Sequence, residues 1–382
     1  MHKTRLGLLG GGQLGAMLLP ECMKWGIVTA VLDPDPHCSC AAWSSHFTQG
    51  DFRDYDTVFR FGQHVDLLTI EIEQVNTHAL RDLEAMGKRV FPQPDKLSII
   101  QDKGLQKQFY VQQNLPTADF VLFDNAADIR EALAARTINY PFVQKKRTMG
   151  YDGKGVQMVH SAVDLPLLFD VPSVVEKLVP IQKELSVIVA QDAQGNARAF
   201  PPVEMVFHAT ANLVEILQCP ADISPEIAAQ AEQIAIETLR AFDVRGVLAV
   251  ELLLDTHNCL YINEVAPRPH TSGHHTIESS ISSQYEQHLR SILGLPLGST
   301  ALKMPAVMLN ILGELGHKGV PIYSGLAECL ALDGVNIHLY GKQQTYPYRK
   351  MGHVTIIDPD LPTALQKAKI VQNKLKVLAE VG

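Results

Sequence analysis

Two apolar runs, each bringing a carboxylate into a segment that favours burial, constrain this chain more tightly than anything else in it. Residues 247–254 carry Glu251, and residues 259–262 run on into Asn263 and Glu264. A turn of the Asp255-Thr256-His257-Asn258 type joins them, so the pair reads as a β-hairpin. Buried carboxylates are costly unless something positive neutralises them. Two on adjacent strands also repel one another, and a divalent cation relieves that. Sites holding Mg²⁺ against nucleotide phosphates use one or two carboxylates plus the phosphates themselves. Arg268, just beyond, would hold a further anionic group. The competing reading leaves Glu251 and Glu264 as strand-end residues in water.

A chain of 382 residues is too long for one ordinary core, so two or three domains are expected. Its net charge of −8 gives no electrostatic reason to expect nucleic acid or an anionic membrane as partner. No apolar run approaches the roughly twenty residues of a membrane span. The opening His2–Arg5 followed by residues 6–9 mimics a secretory leader, but glycines interrupt it, and a first β-strand is the better reading. The six cysteines are scattered; Cys38-Ser39-Cys40 alone is close, a weak zinc signal. Reduced thiols and a cytoplasmic location are expected.

Up to about residue 100, apolar runs at 6–9, 28–32 and 67–70 alternate with helical patterns, the first helix starting near Gln13, which indicates a βαβ sheet. From 101 to 296 the content is mixed: short strands near 142–145, 173–176 and 185–190, a helix over 225–242, and the hairpin, together an α+β pattern. The Gly294–Gly298 cluster predicts a linker. Short strands at 306–312, 337–340 and 353–357 and a closing helix from Pro362 follow it.

Gly10-Gly11-Gly12-Gln13-Leu14-Gly15 fits G-x-G-x-x-G between a strand and a helix, and Asp33 ends the next strand, as in dinucleotide-binding loops. The alternative is a tight glycine turn whose helix N-terminus meets a phosphate of something else. No acid/base constellation of an oxidoreductase accompanies the motif, which counts against NAD. Residues 142–156 place Lys145 at a strand end before a glycine-rich turn that can fold N–H groups over a polyphosphate, or simply close a hairpin. Residues 174–179, with Glu184 downstream, offer backbone groups to a purine edge and a carboxylate to ribose hydroxyls, or form an ordinary core strand.

Lysine strand, glycine-rich lid, Glu-x-x-Val hinge, downstream glutamate and two-carboxylate hairpin stand here in the order found in the ATP-grasp superfamily. Within it the chain resembles the N5-carboxyaminoimidazole ribonucleotide synthetases over nearly its whole length. The likeness rests on the glycine turn, Thr69-Ile70-Glu71-Ile72-Glu73, Gln101-Asp102-Lys103 with Gln106-Lys107, residues 150–155, residues 263–268 with His270-Thr271-Ser272-Gly273-His274, and Arg349-Lys350-Met351-Gly352-His353. The last two are specific to that family.

The resemblance implies an ATP-grasp fold, α/β and α+β, with a doubly wound pre-ATP-grasp domain at 1–100. An ATP-grasp domain would span 101–296, with a mobile lid at about 115–178, and a small β-rich domain 297–382. It implies ATP- and bicarbonate-dependent carboxylation of 5-aminoimidazole ribonucleotide through carboxyphosphate, with ATP and Mg²⁺ (or Mn²⁺) as cofactors, by a homodimer of purine biosynthesis. Lys103 and Lys145 would meet the ATP phosphates beneath a lid of Gly150, Tyr151, Asp152, Gly153, Lys154 and Gly155. Glu176, Lys177, Leu178 and Val179 would lie at the adenine, Glu184 at the ribose, and His208 and Asn263 elsewhere in the ATP site. Glu251 and Glu264 would hold the metal. Gln13, Leu14, Glu73, Tyr151, Arg268, Ser272, Arg349 and Lys350 would surround the ribonucleotide. Asp152, Arg268, His270 and Lys350 would act in the chemistry, with Asp152 or His270 taking the amine proton.

The sequence departs from the family at several of these places. Met149 and Tyr348 stand where glycines are usual, Lys103 for a frequent arginine, Thr271 for asparagine and Tyr346 for arginine. The nearest rival is the formate-dependent glycinamide ribonucleotide transformylase, which shares the Pro-Arg-Pro-His stretch. The rival from another class is an NAD-linked oxidoreductase built on the glycine turn and Asp33.

Overall fold

The computed structural model describes residues 4–150, 155–207 and 214–379. The first unit runs β1 (Arg5–Leu9), α1 (Gln13–Lys24), β2 (Val28–Asp33), β3 (His46–Gln49), α2 (Tyr55–Gln63), β4 (Leu67–Ile70), α3 (Thr77–Ala85), β5 (Arg89–Val90) and α4 (Pro94–Ile100). Its five strands are parallel in the order β3-β2-β1-β4-β5. β4 is buried along its whole length and β1 beyond Arg5, which is why they read as unbroken apolar runs. Asp54 and Asn76 cap α2 and α3, and Pro94 opens α4 where a missing N–H costs nothing.

The second unit begins with α5 (Lys103–Gln112), capped by Asp102. A small antiparallel sheet, ordered β6-β9-β7-β8, is built from β6 (Phe120–Phe123), β7 (Phe142–Lys146), β8 (Val156–Val159) and β9 (Ser173–Lys177), with α6 (Ala126–Ala134) packed on it. The larger sheet takes β10 (Ile181–Gln191), β11 (Ala197–Ala199), β12 (Val203–Phe207), β13 (Val214–Cys219), β14 (Gly246–Asp255) and β15 (Leu260–Ala266). Between β13 and β14 lies α7 (Pro225–Phe242), started by Ser224 and Pro225. Its apolar stripe of Ala231, Ile234, Ala235, Leu239 and Phe242 joins the core formed with β10 and β14. After β15 come α8 (Thr276–Ser279) and α9 (Gln284–Leu293).

The last region holds β16 (Ala306–Leu312), β17 (Pro321–Ser324), α10 (Leu326–Leu330), β18 (Val335–Leu339), β19 (Lys350–Ile357), α11 (Leu361–Lys374) and β20 (Lys376–Ala379). The Gly294–Gly298 cluster does separate α9 from β16, yet the sheet does not break there. β16 pairs with β13 from Ile216↔Leu309 to Cys219↔Ala306, giving one nine-stranded sheet whose main path is β15-β14-β10-β12-β13-β16-β19-β18. β10 and β19 run further than their apolar patterns suggest, because polar residues at their starts, Lys183, Glu184 and Lys350, are paired in the ladder.

Both residues that stand in for family glycines take the left-handed conformation: φ is 63° at Met149 and 65° at Tyr348. A side chain there costs about 1–2 kcal/mol that glycine avoids. Met149 is exposed, so Met149→Gly is expected to lose no packing and to raise stability by up to about 1 kcal/mol after the entropy of glycine is counted. Urea midpoints of the two proteins measure this; a lower midpoint for the glycine variant would refute it.

Candidate functional site

Glu251 and Glu264 face each other directly across β14 and β15. On the next strand Ser186 pairs with Glu251 and Glu184 with Leu253, so the alternation of β-strands puts Glu184, Glu251 and Glu264 on one face. Burial, then repulsion from Glu264 and Glu184, pushes the Glu251 carboxyl up to about 8. Its neighbour goes the other way: Lys103 above all, aided by Lys145 and His270, holds Glu264 at about 2 against its own burial. The hairpin thus has the close pairing expected of it, and neither carboxylate is a stray strand end.

Three lysines converge on this pair. Lys103 Nζ contacts Glu264 Oε2 directly. Lys145, on β7, donates to Asn263 Oδ1 at 2.7 Å and pairs with Glu176 Oε2 at 2.9 Å. Lys107, one helical turn beyond Lys103 on the same face of α5, pairs with Glu176 Oε1 at 3.1 Å and donates to Thr117 Oγ1 at 2.6 Å. Burial lowers the Lys107 ammonium to about 8 although Glu176 opposes that. Glu176 is itself buried, yet Lys145 and Lys107 hold it below the usual carboxylate range. What Glu176 offers a ligand is therefore its backbone, its side chain being committed to two lysines. Lys177 ends β9, and Leu178 and Val179 lie in the short link from the small sheet to β10. Sequence reasoning gave Lys107 no role; its four-residue spacing from Lys103 on a helix was the available signal.

On the other side of Glu251, His270 Nε2 lies 3.5 Å from Glu251 Oε1, and His270 Nδ1 is 2.9 Å from Ser272 Oγ. Ser272 Oγ in turn meets Ser186 Oγ at 2.8 Å, which pins this turn to β10. Arg268 pairs with Glu73 Oε1 at 2.8 Å, joining the end of β15 to the loop after β4. Tyr151, Asp152, Gly153, Lys154 and His208 lie outside the described residues; Gly150 and Gly155 flank the first four.

A cavity of about 270 Å³ opens over the glycine turn, lined among others by Gly12, Gln13, Glu71, His37, Lys342 and Arg349. It brings Gln13 from the first unit and Arg349 from the last to one place. Lys342 is an addition that the sequence did not single out; it sits seven residues before Arg349 in a segment without periodicity. Leu14 is buried and gives this side only its N–H, which donates to Glu71 Oε1 at 3.3 Å. Lys350 opens β19, and its carbonyl accepts from Lys342 Nζ at 2.8 Å.

The acid of the dinucleotide fingerprint is already spent. Asp33 Oδ2 accepts from Gly11 N at 2.7 Å and Oδ1 from Asp35 N at 2.8 Å, tying down the glycine turn instead of facing a ribose. Cys38 closes over the same turn: a Cβ on Gly11 would lie 2.4 Å from its sulfur.

Behind the site the rings of His274, His353 and His338 stack, with centroids 4.6 Å and 4.4 Å apart. Tyr285 and Tyr340 hydroxyls meet His274 Nδ1 and His353 Nδ1, and His338 pairs with Glu278. His288, on α9, reaches both Thr69 Oγ1 of β4 and the Val247 N–H of β14, locking the two units together. Burial pushes His275 and His288 from 6.5 down to about 3. An unfolded chain takes up protons on both well before the folded one does. Their stabilisation is therefore complete above pH 6.5 and lost as pH falls toward 3. Each is expected to cost about 2 kcal/mol between pH 7 and pH 5. The raised carboxyls of Glu251 and Glu71 act in the opposite sense over that interval, so the comparison is with His288→Gln, whose urea midpoint should fall less from pH 7 to pH 5; an identical pH dependence of the two proteins would refute this.

Among the described residues no group of three or more His, Cys, Asp or Glu side chains is arranged to hold a metal alone, and no helix is long and apolar enough to cross a membrane. Family profiles match along the chain: the ATP-grasp domain at residues 108–285, the ribonucleotide synthetase preATP-grasp domain at 3–101 and the phosphoribosylaminoimidazole carboxylase C-terminal domain at 306–367. The crystal structure of N5-carboxyaminoimidazole ribonucleotide synthetase from Thermotoga maritima is 37% identical, with a TM-score of 0.89 over 99% of this chain and 100% of that one. An Aspergillus clavatus N5-carboxyaminoimidazole synthase in complex with ADP and 5-aminoimidazole ribonucleotide is 31% identical, with a TM-score of 0.88 over 98% of this chain and 99% of that one. The chloroplastic phosphoribosylaminoimidazole carboxylase of Vigna aconitifolia is 35% identical over all of this chain, which spans 67% of that longer protein.

Proposed function

The chain belongs to the N5-carboxyaminoimidazole ribonucleotide synthase family of ATP-grasp enzymes, and from that membership we propose that it carboxylates 5-aminoimidazole ribonucleotide with bicarbonate at the expense of ATP, releasing ADP and phosphate in purine biosynthesis. The observation that carries the reading is the meeting of two half-sites around Glu251. Lysines and paired carboxylates suited to a metal–triphosphate complex lie on one side, and His270, two residues beyond the Arg268 that pairs with Glu73, on the other.

Glu251, Glu264 and the Asn263 amide are hard oxygen donors that fit Mg²⁺ or Mn²⁺, and phosphate oxygens would complete the coordination of such a cation. Such a cation supplies positive charge at the γ-phosphate. Lys103 and Lys145 bind the phosphates and orient the terminal one toward bicarbonate. Arg268 holds the carboxyphosphate that forms, beside the ribonucleotide amine. His270 or Asp152 takes the proton that the amine gives up as the new C–N bond forms. Gln13, Lys342 and Arg349 cradle the ribonucleotide phosphate, and the small sheet that carries Lys145 closes on the site to exclude water. The oxidoreductase reading has no support left, because Asp33 is consumed within its own turn. A cytoplasmic homodimer completes the proposal.

ADP release measured with aminoimidazole ribonucleotide plus bicarbonate, against glycinamide ribonucleotide plus formate, tests the reading. Release is expected with the first pair alone. Equal or greater release with formate would move the chain to the transformylase reaction.

A further inference from the structure

Glu71 is pressed into the glycine turn, and the reaction above gives it no task. β4 ends at Ile70, and the Glu71 N–H donates to Leu9 O at 2.8 Å, so the strand pair carries its side chain under the start of α1. A Cβ on Gly12 would lie 2.4 Å from Glu71 Oε1, and one on Gly10 2.7 Å from Oε2. The N-cap Gly12 has no side chain with which to cap α1; the Leu14 N–H is met by Glu71 instead, at 3.3 Å. In a dinucleotide-binding loop this place, in front of the first helical N–H groups, receives the pyrophosphate. Here a carboxylate from the neighbouring strand fills it.

We propose that Glu71 is a positioning and specificity-determining residue: it occupies the seat a pyrophosphate would take and thereby sends a single ribonucleotide phosphate outward to Gln13, Lys342 and Arg349. The groups facing Glu71 are Asp33 from β2, Cys40 from the covering loop, Arg268 beyond β15 and Tyr285 from α9. Burial raises the carboxyl to about 7, as a side chain wedged under a helix should show. The proposal rests on the reading that the substrate is aminoimidazole ribonucleotide.

Three variants test it, with KM for the ribonucleotide, KM for ATP and kcat measured separately. Glu71→Ala and Glu71→Asp, which cannot reach Leu14, are expected to raise the ribonucleotide KM about ten- to a hundredfold while kcat and the ATP KM stay within about threefold. Glu71→Gln keeps the acceptor oxygen and is expected to restore the KM to within about threefold. A merely structural role would lower kcat and raise both KM values together in all variants, and that overturns the proposal. Inorganic pyrophosphate provides a second arm. As an inhibitor competing with the ribonucleotide it should bind at least about fivefold more tightly to Glu71→Ala than to the unaltered enzyme, the seat having been emptied. Unchanged inhibition overturns the claim that Glu71 fills that seat. Should the unaltered protein show no ribonucleotide-dependent ADP release, the proposed function fails, while direct pyrophosphate binding by calorimetry still decides the place of Glu71.

Discussion

Glu264→Gln is expected to lower bicarbonate-dependent ADP release by about 100- to 1,000-fold, the scale on which a charge-stabilising group at a reacting centre counts. The substitution keeps the shape of the side chain and its place opposite Glu251 on the hairpin. It removes the carboxylate that Lys103 holds ionised, leaving a site whose remaining acid, Glu251, is biased by burial toward its neutral form. Little charge then remains to hold a divalent cation. The loss should fall mainly on kcat, with a rise in the Mg²⁺ concentration needed for half-maximal rate. Stability should change little, because Lys103 keeps partial access to water. Near-normal turnover in the same assay would remove Glu264 from the metal site and with it the reading of the hairpin.

Lys107→Met is expected to cost about 3–5 kcal/mol of folding stability, the loss seen when one partner of a buried ion pair is deleted. Both side chains of this pair are almost wholly enclosed, Lys107 at 3% and Glu176 at 5% exposure. The variant leaves Glu176 with Lys145 as its remaining lysine and Thr117 without its donor. Lys145 would be drawn further toward Glu176 and away from Asn263, so the ATP KM should rise as well. Lys107→Met combined with Glu176→Leu should recover part of the stability, since a packed apolar pair can replace a buried ionic one. Urea denaturation of the three variants is the measurement. A loss below about 1 kcal/mol for the single variant would show that Glu176 is solvated or protonated rather than charged and buried.

Strands β1, β2 and β4 of the first unit, the hairpin and the α7 helix were legible because each is fixed by local periodicity, a turn, or a cap, whereas the exposed β3 and the two-residue β5 carry no apolar run to read. Parallel strands enclosed on both faces cannot hide their apolar runs, and Ser224-Pro225 announces a helix start. The carboxylate pair was legible for a related reason, since a two-residue alternation and a short turn leave few registers. What escaped depends on partners distant in the chain. Asp33 resembles a ribose ligand until Gly11 is seen bonded to it. Lys107, Glu71 and Lys342 acquire meaning only through Glu176, Leu14 and Arg349, which lie in other elements. The pairing of β13 with β16 was invisible for the same reason: between them lie a long helix, the hairpin and the Gly294–Gly298 cluster, which reads as a border.

That β13–β16 seam has a mechanical consequence. Glu251 on β14, Glu264 on β15 and the strand begun by Lys350 belong to one hydrogen-bonded plate, so the spacing between the carboxylate pair and the start of β19 is set like the jaws of a fixed gauge. The four-stranded sheet is a separate hydrogen-bonded unit that meets this plate through side chains such as Lys145 with Asn263, so backbone holds the carboxylate end of the site and side chains hold the lysine end.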